Sequence, residues 1–206
     1  MTERRVSPPI RRASVEGAEG NERLTAIVAV VLLVLLFLVG LTVPVANVQT
    51  RLHVFLGVVV IPPILLKIAS TTWRFLRYYS GNFSYRSKGP PPLLLRLLGP
   101  IIAVLTLVML FSGVGLVIIA PNSMHPLLSQ IHRASFVLWF VATAVHVLGH
   151  LKDTVLFAPR DFVRHTRRQA RGASARAGVT LVSVIAGLVC AWAILPYVSN
   201  VSIFSH

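Results

Sequence analysis

An all-α integral membrane protein is the fold class that this sequence predicts, on three observations. Of its 206 residues 55% are hydrophobic and only 13% charged, against roughly a quarter charged in soluble domains. The apolar residues gather into five long runs, at about 24–43, 51–72, 98–120, 127–151 and 177–197, each near the roughly 20 residues that cross a hydrocarbon core as helix. The charges lie between the runs. A formal net charge of +14 therefore describes membrane topology, and a nucleic-acid reading, which needs a basic face on a soluble domain, finds no place here.

The first run follows RRVSPPIRRAS, a segment with a superficial likeness to a twin-arginine signal. Its apolar stretch exceeds the 7–15 residues of a cleaved signal core, and the acidic spacer EGAEGNE separates the arginines from it. The run is expected to stay as the first span, behind a solvated, disordered tail at 1–22. Residues 23–157 then hold four spans, 158–176 a basic loop, and 177–206 a fifth transmembrane helix with a short tail. Eighteen of the twenty Lys and Arg residues fall before span one, between Lys67 and Arg96, or between Lys152 and Arg176. Only Arg51 and Arg133 belong to the opposite side. By the positive-inside rule the N-terminus is expected in the cytoplasm and the C-terminus outside, and the basic loops are secondary contacts for anionic lipid headgroups.

Several chemistries are excluded by composition. The single cysteine, Cys190, lies in span five and reads as an apolar packing residue. No intrachain disulfide, thiolate cluster or Cys-x-x-Cys-His haem attachment can be built from it. The GVG at 113–115 sits within an apolar span, where close helix packing accounts for it. Any chemistry of this chain is expected inside the bundle.

Histidines carry the functional signal. Ionisable side chains within spans are costly and face the bundle interior, and four of the seven histidines qualify: His53, His132, His146 and His150. His125, His165 and His206 read as solvated surface residues. Spans two and four run in the same direction. Counted from their charge-poor ends, His53 and His132 fall at similar depth. Two axial nitrogens approaching one haem iron from facing helices need this arrangement.

Below that level the pattern changes. His146 lies fourteen residues after His132, within roughly 40° of the same helix face and about 21 Å deeper. His150, eighteen residues on, shares the face more closely at roughly 27 Å. Four apart on one helix, the two project from the same side and cannot be the opposed ligands of one iron. The same fourteen-residue step from His53 reaches Lys67. Three readings of Lys67 stand open: a neutral amine ligand to a second iron, a cation that snorkels or pairs with a haem propionate or quinone oxygen, or a level without cofactor.

Other residues fit either cofactor or packing. Gly57, one turn below His53, offers space for a macrocycle or a close helix contact. Arg51 and Arg133 flank the upper pair and suit propionates or lipid headgroups. Pro62-Pro63 is expected to kink span two. Trp73, Tyr78, Tyr79 and Tyr85 read as an aromatic belt.

RLHVFLG in span two, HRASFVLWFVATAVHVLGH in span four, and KIASTTWRFLRYYSG followed by KGPPP resemble haem-b membrane subunits of the cytochrome b superfamily. These are the cytochrome b/b6-domain anchors of hydrogenases, formate dehydrogenases and molybdopterin oxidoreductases. The resemblance covers roughly residues 24–157. It implies a four-helix haem-binding bundle in a bacterial inner membrane, one haem b with room in the pattern for a second, and a quinone as electron partner. It also implies an outer-face redox protein or a molybdopterin- or hydrogenase-type subunit as partner. Axial ligation would fall on His53, His132 and His146, with His150 as the alternative; Lys67 departs from a symmetric two-haem pattern. The competing class is a non-redox transporter or assembly scaffold whose histidines relay protons. Against it stand the absence of acidic residues within the spans and of a visible inverted repeat.

Overall fold

The computed structural model describes residues 9–46, 50–87, 89, 93–118, 124–157 and 172–198. They form helices α1 (Pro9–Thr42), α2 (Thr50–Val59), α3 (Ile61–Tyr79), α4 (Phe83–Arg86), α5 (Leu93–Ile118), α6 (His125–Phe157) and α7 (Ala173–Val198), with one 3-10 turn at Val43–Val45. No strand occurs among the described residues. Five stretches are long and apolar enough to cross a membrane: Gly17–Val45, Thr50–Tyr79, Leu93–Ile118, His125–Gly149 and Ala173–Val198. Lipid leaves a backbone no water to bond, so such runs satisfy their amides internally as helix. This is a multi-pass all-α membrane protein.

Two boundaries differ from expectation. Helix begins at Pro9, so residues 9–22 continue the first span downward where a disordered tail was expected. Helix α7 begins at Ala173, inside the segment 158–176 read as a loop; residues 158–171 of that loop lie outside the described residues.

Span two breaks where its prolines sit. Pro62 and Pro63 have no amide to give to the carbonyls of Val58 and Val59, and the helix divides at Val60, with both prolines in the first turn of α3. That position suits proline, whose missing donor is unneeded in a first turn. Helix α7 seals the back of the break. A Cβ on Gly187 would collide with the Val59 carbonyl, so only glycine admits α7 this close, and Ala191 is buried against Val58 and Val59. On the other side Val28 and Leu32 of α1 pack with Val60 and Ile64.

Helices α5 and α6 form a separate antiparallel pair. Among the described elements α6 packs extensively on α5 alone. A buried hydrogen bond ties the pair, Trp139 Nε1 donating to Thr106 Oγ1 at 2.8 Å. The bundle thus consists of an α1–α2–α3–α7 group and an α5–α6 pair. Between them is a cavity of about 950 Å³. Cys190, expected to pack, is exposed on α7; with large apolar side chains such as Phe111 and Trp192 also exposed, the outer surface of the bundle is a lipid surface.

Candidate haem-binding site

His53 and His132 meet across that cavity. Both rings line it, with centroids 6.4 Å apart and planes at 88°. His53 is the fourth residue of α2 and His132 the eighth of α6, so each ring enters from near the start of its helix. Two imidazoles bound on opposite sides of one first-row metal ion would stand about 6 Å apart centre to centre, since each bound nitrogen lies about 2 Å from the ion and roughly 1 Å from its own ring centre. The observed spacing fits.

Hydrogen bonds engage the same nitrogen, Nδ1, in each ring. Thr42 Oγ1 donates its single proton to the Val39 carbonyl at 2.6 Å, so it can only accept from His53 Nδ1, 2.8 Å away. His132 Nδ1 lies 3.0 Å from the Met109 carbonyl, which has no proton to give. Ser112 Oγ, 3.3 Å from the same nitrogen, already donates to Val108 and Met109 carbonyls. Both imidazoles are therefore Nδ1–H tautomers. Their Nε2 lone pairs find no protein donor among the described residues. Two imidazoles on the wall of one apolar cavity, each with Nδ1 engaged by the protein, could together hold a metal ion or a haem iron, with the Nδ1–H bonds as the supporting second layer.

Glycines shape the cradle in two ways. Around a Cβ built on Gly57 nothing lies within 4 Å, so this wall of the cavity is open. Gly113 on α5 does the opposite: a Cβ there would stand 3.0 Å from Cε1 and 3.2 Å from Nδ1 of His132. The glycine read from sequence as a helix contact is a seat for an imidazole. Its companion Gly115 is the helix contact, lying against Leu128. Phe136, Trp139 and Phe140 complete an apolar wall on α6.

The other candidate residues divide. Arg133 lines the cavity beside His132, with Nε donating to the Ser129 carbonyl at 3.4 Å, and is placed to meet an acidic group. Arg51 is exposed and lines no part of this cavity. Lys67 lies outside the cavity too: its Nζ donates to the Thr25 carbonyl of α1 at 2.9 Å. Around it Asn21 Nδ2 donates to Ser70 O, Thr25 Oγ1 to Ser70 Oγ, and Ser70 Oγ to Lys67 O. The lysine is part of an α1–α3 polar staple. His146 is half-buried on α6 and does not line the cavity, and the side chain of His150 lies outside the described residues. His125, read as a solvated residue, opens α6 with Nε2 buried and no partner among the described residues; His165 and His206 lie outside them.

Trp73 and Tyr79 are exposed near the end of α3, Tyr85 is buried in α4, and Arg77 and Arg96 sit over the Trp73 and Tyr79 rings at 5.2 and 5.3 Å. Thr42, Met109 and Ser112 are the site residues that sequence reasoning passed over, and Gly113 was read there only as a packing residue. A threonine closing an apolar run just before a proline was the one available signal, since such a hydroxyl bonds the last helical carbonyls or a neighbour. Comparison with known proteins gives no match to this chain, whether among family models, curated proteins or solved structures.

Proposed function

We propose that this protein is a b-type cytochrome of a bacterial inner membrane, holding one haem b between His53 and His132. It would carry electrons between the quinone pool and a redox protein on the outer face. The observation that carries the reading is a pair of imidazoles lining one cavity with ring centres 6.4 Å apart, each with a hydrogen-bond partner on Nδ1. The cavity volume falls within the roughly 300–1,000 Å³ typical of cofactor sites, and its lining is apolar. Haem iron supplies one-electron redox chemistry when bound.

The chain's own residues do the rest. His53 and His132 hold the metal from opposite helices, Gly57 leaves room beside it, and Gly113 keeps the His132 ring in place. Phe136, Trp139 and Phe140 keep water from the pair, and a dry setting raises the weight of every nearby charge on the redox potential. Arg133 offers a guanidinium to an acidic substituent at the cavity edge. The distribution of Lys and Arg supports an orientation with this site toward the outer face and the N-terminus in the cytoplasm. Electrons would enter or leave there, beside a molybdopterin- or hydrogenase-type subunit.

An absorption spectrum of detergent-purified, full-length protein from haem-replete cells, taken before and after dithionite, tests the reading. The expected result is a reduced b-type spectrum with one haem per chain. Absence of a Soret band sinks it in favour of a non-redox transporter or scaffold.

A further inference from the structure

The two imidazoles are anchored by different kinds of acceptor. His132 donates to a main-chain carbonyl, Met109 O, which no substitution removes. His53 donates to a side chain, Thr42 Oγ1, contributed by α1 from across a chain reversal. Thr42 is 5% exposed, so water does not compete for that bond. Its hydroxyl also donates to Val39 O, capping one of the carbonyls left free as α1 runs out into the 3-10 turn at Val43–Val45.

We propose that Thr42 is the positioning residue of His53: it holds the ring in the Nδ1–H tautomer, presents Nε2 to the cavity, and sets from α1 how strongly that nitrogen donates. This deepens the cytochrome reading and rests on it for the consequences at iron, while the tautomer itself belongs to the metal-free protein. The physical argument is directional. A hydroxyl whose proton is committed elsewhere accepts but cannot donate, so the alternative Nε2–H tautomer would place two lone pairs face to face at 2.8 Å. An acceptor on Nδ1–H also pushes electron density toward Nε2 and raises its basicity as a ligand.

Stronger donation favours ferric over ferrous iron, so Thr42 holds the potential down. Because its hydroxyl is tied to the end of α1, a displacement of that helix end reaches the iron through one hydrogen bond. His132 is tied first to the backbone of α5, at 3.0 Å from Met109 O, with the Ser112 hydroxyl farther off at 3.3 Å from the same nitrogen. His53 is the tunable ligand of the pair, and His132 the fixed one.

The test uses the full chain with 15N-labelled histidine, purified without haem in detergent at alkaline pH, with the His53 signals assigned by their loss in His53→Gln. Wild type and Thr42→Ser should show His53 with a protonated Nδ1 and a bare Nε2. Thr42→Val, nearly equal in volume, should show both tautomers. After haem loading, Thr42→Val should bind roughly 10-fold more weakly and show a more positive midpoint potential, both restored in Thr42→Ser. An unchanged tautomer in Thr42→Val overturns the proposal, as does an unchanged potential in a variant whose tautomer has shifted. If no variant takes up haem, the cytochrome reading fails, and with it the role of Thr42 at iron. The tautomer ratio then still decides whether Thr42 anchors the ring.

Discussion

At the level of His53 and His132 each imidazole spends Nδ1 on a protein acceptor, and both rings line a shared cavity. About one membrane leaflet away, the Lys67 ammonium is turned to the Thr25 carbonyl of α1, and α6, which carries His146, packs extensively on α5 alone among the described elements. The residue types at the upper level invited a ligand reading, and those at the lower level left three readings of Lys67 open. What separates them is whether facing helices converge on a common space. Helices α2 and α6 converge around the cavity; α3 is drawn to α1 and α7 instead. A ligand set is made by two backbones holding lone pairs at one distance, and the presence of basic side chains at equal depth does not supply that.

The sharpest way to break this comparison is to remove one nitrogen from each level. On the proposed cytochrome reading, His53→Ala or His132→Ala would leave one histidine to hold the haem, and haem per chain in the purified protein should drop to a small fraction of wild type. Lys67→Ala and His146→Ala should keep about one haem per chain and an unaltered reduced spectrum. Loss of haem in Lys67→Ala, with His53→Ala unaffected, would invert the assignment of levels.

Substitutions at two glycines sharpen the same contrast with a smaller effect. Alanine at Gly113 pushes a methyl to 3.0 Å from His132 Cε1, and a bound geometry must hold to within about 0.5 Å to stay productive. Haem affinity should fall roughly 10-fold, with helix content by circular dichroism unchanged. Alanine at Gly57 meets nothing within 4 Å and replaces a residue that weakens helices by about 1 kcal/mol. The metal-free protein should therefore gain thermal stability, and only larger side chains such as Gly57→Phe should block haem uptake, by filling the cavity. If Gly57→Phe bound haem as well as wild type, the cofactor could not lie on that wall.

How much of this was legible beforehand follows from which geometrical quantity each statement needed. Depth was legible: the bilayer sets the ends of each span and a helix rises 1.5 Å per residue, so counting placed His53 and His132 at one level. Facing direction was legible only where the helix is continuous. From His53 to Lys67 the fourteen-residue count passes through Val60, where α2 gives way to α3 at two prolines, and even on an unbroken helix fourteen residues at about 100° each leave Lys67 roughly 40° away from the direction of His53. Pro62-Pro63 was expected to kink the span, and the structure shows α2 giving way to α3 at Val60. Tertiary hydrogen bonds were illegible for a different reason. Thr42 and Met109 reach their imidazoles from other helices, and nothing in local spacing specifies which hydroxyl or carbonyl a ring nitrogen meets. Gly113 was visible as a small residue in a span, and its neighbour's identity, an imidazole rather than a leucine, depends on the rotation of α6.

The smallest expected effect belongs to Lys67→Met, and it distinguishes a functional lysine from a structural one. Methionine keeps the length of the stem and its contacts along α1 while removing the ammonium. Two contributions then oppose each other. The bond to the Thr25 carbonyl is charge-assisted and contributes about 1.5–3 kcal/mol when made, while holding an ammonium among helices with only that acceptor costs several kcal/mol of lost hydration. The two nearly cancel, as they do when buried ionic groups elsewhere are replaced by apolar ones of similar shape. Thermal unfolding in detergent should shift by no more than a few degrees, and haem content should be unchanged. The neighbouring bonds among Asn21, Thr25 and Ser70 do not pass through Nζ, so the α1–α3 contact survives. A large loss of haem in this variant, at unchanged stability, would place the lysine at a cofactor after all.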